Sequence, residues 1–143
     1  MLYTPMTKQA MKLCFDAHKD QKDKSGLPYV FHPFHLAEQM QDEVTTVVAL
    51  LHDVVEDSDY TFADLEEMGY PPVVLAALRL LTPDDSVPYM DYVREVKKNP
   101  VAAAVKLADL RHNSDLSRLD IVTEQALARR EKYLRAQALL TEE

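Results

Sequence analysis

Apolar residues recur along this chain at intervals of three and four, the spacing that gathers side chains on one face of an α-helix. Ala10, Met11, Cys14, Phe15, Ala17 and His18 keep that spacing behind Thr4-Pro5, where Thr caps a first turn and Pro fits its opening position. The charged stretch 19–25 breaks the pattern and Gly26 closes it, so a loop is expected there. Residues 29–34 form a short bridge, and Pro33 is expected to start a second helix running to about Met40. Asp42 or Glu43 starts a third, which continues through the run from Val47 to Asp57. Thr61-Phe62-Ala63-Asp64 resembles a capping box, opening a short helix that Gly69 ends. Pro71-Pro72 opens a helix through Leu81, residues 82–87 make a loop, and Pro88 begins a helix that stops near Asn99-Pro100. Residues 101–113 and about 123–140 complete the set. The pattern predicts an all-α bundle of seven or eight helices, with residues 1–143 as a single domain.

Composition agrees with that. Two glycines, Gly26 and Gly69, are too few for a protein full of tight β-turns, and the 47% hydrophobic fraction suffices for a globular core. The lone Cys14 allows no intrachain disulfide and fits a reducing compartment; its apolar neighbours mark it as a core residue rather than a catalytic thiol. The longest apolar runs fall short of the roughly 18 residues a membrane span needs, so a cytoplasmic protein without membrane contact is expected. A net charge of -8 disfavours nonspecific binding of nucleic acid. Any phosphate-bearing ligand must therefore be met by local cations or by a metal. Oligomeric state is not encoded in any of these features.

One segment stands apart chemically. Val47-Val48-Ala49-Leu50-Leu51 leads directly into His52-Asp53-Val54-Val55-Glu56-Asp57, so imidazole and carboxylates follow a stretch that should be buried. Burying that many acids costs several kcal/mol, of the order expected for poorly compensated charge, unless something neutralises them. A divalent cation accepts imidazole and carboxylate together and removes the repulsion between acids.

Candidate partners lie in two other segments. His32 stands at a helix start, and Asp109 interrupts the apolar run Val105-Lys106-Leu107-Ala108. Taken singly, His32 reads as a helix-cap histidine, and Asp109 as a buried acid paired with Lys106 or Arg111. Taken together, two imidazoles and two carboxylates form a nitrogen–oxygen set suited to Mn(II), Fe(II) or Zn(II). The lack of thiolate ligands argues against a structural zinc site.

The order His32, His52-Asp53, Asp109 resembles that of the HD-domain metal-dependent phosphohydrolases. Within that superfamily, Lys24-Ser25-Gly26-Leu27-Pro28-Tyr29-Val30-Phe31-His32-Pro33 is similar to a box of the hydrolase domain of RelA/SpoT-type alarmone enzymes. His52-Asp53-Val54-Val55-Glu56-Asp57 resembles their HDxxED motif, and Val105–Asn113 their third box. The resemblance implies an HD-type helical fold and a (p)ppGpp 3′-pyrophosphohydrolase, with a small nucleotide as partner. It implies His32, His52, Asp53 and Asp109 as ligands to Mn(II) or another divalent transition metal. It implies Glu56 and Asp57 as the pair acting on the attacking water, and Lys24, Ser25 and Asn113 as substrate contacts, with Arg111 as a further phosphate-facing cation. Rival readings are a phosphohydrolase for another nucleotide, a noncatalytic metal-containing nucleotide sensor, and a purely structural bundle.

Two positions depart from the family pattern. Asp23 stands where the family's arginine stacks on the guanine base, and a carboxylate there is expected to repel phosphate. The cation of the third box is displaced by one residue to Arg111, a rotation of about 100° around a helix. Arg118 offers a substitute cation or a solvated helix end. Glu66-Glu67, Asp84-Asp85 and Arg129-Arg130-Glu131-Lys132 read as solvated faces, and Tyr89, Tyr92 and Tyr133 as packing residues.

Overall fold

The structure, a computed structural model, describes residues 1–142. Nine α-helices and one 3-10 turn make up the regular elements among them. Helix α1 (Pro5–His18) starts from Thr4, whose side chain accepts from the Thr7 amide while Thr7 caps back in return. Helices α2 (Phe31–Glu38) and α3 (Glu43–Leu51) follow, the latter capped by Asp42 through the Thr45 amide. Helix α4 (Val54–Asp57) is one turn, and α5 (Phe62–Glu67) begins with the expected Thr61–Asp64 capping box. Helices α6 (Pro72–Leu80), α7 (Tyr89–Lys97), α8 (Pro100–Asn113) and α9 (Glu124–Thr141) complete the bundle. Gly26 and Gly69 sit at φ +84° and +95°, conformations that closed the two turns where the sequence placed them.

Helix α3 is the axis of the molecule. Every residue from Thr45 to Leu51 is buried, and α1, α2, α6 and α8 pack around it. Leu36, Leu50, Leu51, Leu78 and Leu110 are fully enclosed, each worth about 1.5–3 kcal/mol of burial. Such a helix, apolar on all sides, can carry polar groups only at its end, and that is where the chemistry lies.

The expected continuous third helix is interrupted. It stops at Leu51, and Asp53 adopts φ -112°, ψ 3° before α4 resumes. His52 Nδ1 donates to the Ala49 carbonyl at 2.7 Å, the acceptor that the residue 53 amide would use in an unbroken helix. The second helix also starts two residues early, at Phe31, because Pro33 is tolerated within a first turn.

Candidate active site

Three of the four predicted ligand residues converge. His32 from α2, His52 from the end of α3 and Asp109 from α8 are all buried, with ligand atoms within 4.8 Å of one another. Asp109 Oδ1 lies 2.8 Å from His32 Nε2 and 3.6 Å from His52 Nε2, while its Oδ2 accepts from Lys106 Nζ at 2.8 Å. Asn113 Nδ2 donates to Oδ1 at 3.1 Å. Asp53 stands at the edge of the group, its Oδ2 3.1 Å from His52 Nε2 and accepting from the Tyr29 hydroxyl.

The donor set fits a divalent cation. The Ala49 carbonyl fixes one His52 ring proton on Nδ1 and turns Nε2 toward the acids, where in the absence of a metal it holds a second proton. That atom is buried and faces two carboxylates. Lone pair and carboxylate repel unless a proton or a cation lies between them. Burial alone would lower the His52 pKa, but Asp53 and Asp109 hold it well above the usual value. Burial would likewise raise both acids; instead Lys106 and the imidazoles hold Asp109 well below the carboxylate range, and His52 brings Asp53 to about 2. His32 Nδ1 sits 2.7 Å from His112 Nδ1, so when His32 Nε2 is free for a cation its remaining proton goes to His112. His112 suits that accepting role: burial and the neighbouring Arg118, His32 and His35 bring its pKa to about 4.

Two cavities flank this cluster. The larger, about 530 Å³, includes Tyr29, His32, Asp57 and Asn113, with Lys24 and Ser25 on its wall. The smaller, about 290 Å³, includes His52, Asp53, Glu56, Lys106 and Asp109. The predicted pair is thus split, Glu56 bordering the smaller cavity and Asp57 the larger. Burial and the Asp53 charge raise both pKa values above the ordinary range. Gln21 anchors the larger cavity's floor: its Nε2 donates to the Asp57 carbonyl at 2.7 Å and its Oε1 meets His18 Nδ1 at 2.8 Å.

Arg111 is a correction. It is exposed and borders neither cavity, because Asp109 and Asn113, four residues apart, share the face of α8 that meets the cluster and leave the intervening position facing solvent. The expectation for Asp23 also changes. Its Oδ2 accepts from Arg118 at 3.1 Å, so its charge is matched rather than left to repel phosphate. The sequence reading placed α9 but took its charges for a solvated face and Tyr133 for packing, and so missed its part in the site. Arg129 and Tyr133, four residues apart on one face, line the larger cavity. Arg130 and Gln137 pin that helix to Ser114 at the end of α8. Burial, together with Arg129 and Lys132, lowers the Lys24 pKa, marking a cationic wall in an acidic protein.

These features describe an all-helical protein whose buried imidazole–carboxylate cluster suits a divalent cation and opens onto a cavity of nucleotide size. No family model matches the chain. It is 35% identical over 129 residues to the guanosine-3′,5′-bis(diphosphate) 3′-pyrophosphohydrolase MESH1 of Danio rerio, covering 80% of this chain and 71% of that protein. It is 37% identical over 109 residues to a GTP pyrophosphokinase of Streptomyces coelicolor, covering 67% of this chain but spanning only 13% of that protein. A solved structure of a metazoan ortholog of SpoT, which hydrolyzes ppGpp, superposes with a TM-score of 0.75 and 26% identity, covering 99% of this chain and 88% of that one. The chain belongs to the HD-type (p)ppGpp hydrolase family of MESH1 and SpoT.

Proposed function

We propose that this protein is a (p)ppGpp 3′-pyrophosphohydrolase that uses a divalent transition metal, with Mn(II) the expected ion. The observation that carries the reading is His52 Nε2 held between the buried Asp109 and the partly exposed Asp53 carboxylates, in a cluster whose His32 lines a cavity shared with Lys24 and Arg129. A likeness over 80% of this chain and 71% of a protein of that activity supports it. His32, His52 and Asp109 would hold the ion, with Asp53 as the fourth ligand once Tyr29 yields its oxygen. When bound, the ion acidifies water and offsets charge on phosphoryl oxygens.

The protein's own groups supply the rest. The nucleoside lies in the larger cavity, with Lys24, Ser25 and Asn113 toward its phosphates. The scissile bond joins the ribose 3′ oxygen to phosphorus. Water attacks phosphorus from the opposite side, where Glu56 faces the smaller cavity and takes the proton. The bond to the 3′ oxygen breaks, and Asp57 on the nucleoside side returns a proton to that oxygen. The raised pKa values of both carboxyls suit such exchange. The cytoplasm is the expected setting, and among the described residues no helix is long and apolar enough to cross a membrane.

The test is incubation of the purified, Mn(II)-supplemented protein with a nucleotide panel that includes ppGpp. GDP and pyrophosphate are the expected products. Turnover of another nucleotide with none of ppGpp would replace the substrate, and binding without turnover would make the protein a sensor.

A further inference from the structure

Asp23 and Arg118 lie 95 positions apart in sequence, yet they form the most enclosed ion pair in the larger cavity, with side chains 11% and 20% exposed. Asp23 is fully committed. Its Oδ1 accepts from the Ser25 amide at 2.9 Å, the Ser25 hydroxyl at 2.5 Å and the Leu27 amide at 3.1 Å, leaving Oδ2 for Arg118. Arg118 is held on two sides. One terminal nitrogen donates to Asp23 and the other to the His112 main-chain oxygen at 2.9 Å.

Those two bonds lie in the guanidinium plane and are spent on protein. A guanidinium so fixed is no longer a free fork for phosphate; it is a plate. Its Nε–H and one hydrogen on each terminal nitrogen remain, but with both prongs anchored its broadest free surface is its faces, which attract aromatic rings. The same cavity supplies apolar wall from Leu116, Leu119, Ala126 and the Tyr133 ring. Phosphate-seeking charge stands separately, at Lys24 and Arg129.

We infer that Arg118 is the residue that recognises the planar base of the bound nucleotide, and that Asp23 is the positioning residue that orients it. The inference rests on the nucleotide-hydrolase reading above and adds the part of the site that distinguishes a base. It assigns a role across the fold to a carboxylate and a cation that the local motif does not join.

The experiment compares the parent with R118K, R118Q and D23N, each checked for folding by circular dichroism and thermal melting. Two substrates are used: ppGpp, and a ribose bis(diphosphate) without a base. GDP binding is measured by calorimetry in parallel. Lysine keeps the charge but not the plate, so R118K and R118Q should both raise KM for ppGpp by about tenfold with little change in kcat, the range of a lost stacking contact. D23N should do the same more weakly. For the substrate without a base, KM should move less than about twofold. GDP binding should weaken in step with KM. Recovery of parental KM by R118K, or equal loss on both substrates, would make Arg118 a phosphate contact and overturn the inference. If the parent fails to hydrolyse ppGpp, the functional reading falls instead. GDP binding still decides the role of Arg118: unchanged affinity in R118K and R118Q would overturn it.

Discussion

Lys106→Met tests whether the buried cluster is built for a cation. Lys106 Nζ lies 2.8 Å from Asp109 Oδ2, and both side chains are largely enclosed. At an effective dielectric near 20, two unit charges at that separation attract by about 6 kcal/mol gross. Methionine keeps the length of the stem and its packing beside Tyr92, so the substitution removes charge rather than volume. Asp109 keeps His32 at 2.8 Å and Asn113 at 3.1 Å, which recover part of the loss. The net cost should be about 3 kcal/mol, at the lower end for breaking a buried pair. For a chain of this size that corresponds to roughly 6–12 °C in Tm. A bound divalent ion supplies the missing positive charge from the other side of the same carboxylate. In saturating Mn(II), the penalty should therefore shrink to about 1 kcal/mol, near that of one ordinary hydrogen bond. The assay is thermal melting of parent and variant with chelator and with Mn(II). A chelated variant melting within about 1 °C of the parent, or a penalty that ignores Mn(II), would refute the reasoning.

Further outcomes follow from the same geometry. The raised pKa of His52 means that its stabilising proton is fully present below the ordinary value of 6.5 and lost only as pH rises through the raised one. Mn(II) must displace that proton, so binding at pH 7 should release about one proton and weaken as pH falls; equal heats in buffers of different ionisation enthalpy would contradict this. Glu56→Gln and Asp57→Asn should each keep the metal and lose roughly 10² or more in rate. A p-nitrophenyl diphosphate ester, whose leaving group needs no proton, should rescue Asp57→Asn and not Glu56→Gln; rescue of both or neither would remove the division of labour. Asp23→Arg should lower kcat/KM for ppGpp by about tenfold, or about 1.4 kcal/mol, because it places a cation against Arg118 and strips the turn of its acceptor; an improved kcat/KM would refute that account.

Much of this protein can be read locally. Thr4, Asp42, Thr61, Asn99 and Thr123 each cap a helix through neighbours two or three residues away, and a linear pattern contains such information. His52 and Asp109 stood out because each follows or interrupts an apolar run, whereas His32, a helix-start residue, gained meaning only beside them. The break at Asp53 was not legible, because it depends on which acceptor the His52 ring takes. Arg129 and Tyr133 were hidden inside a run of charge that looks like any solvated face. They acquire a role only because Ser114 receives α9 from two directions. Arg111 was assigned by proximity to Asp109 in sequence, and one step around a helix was enough to turn it away.

The Asp23–Arg118 pair also constrains how this chain can change over generations. Substituting either member alone strands a charge that is mostly shut away from water, on a wall the substrate must touch. A lineage leaving this arrangement must alter both codons together or pass through a weakened intermediate. The pair thus acts as a barrier to gradual drift in specificity, and a descendant with new preferences should carry either both original residues or neither.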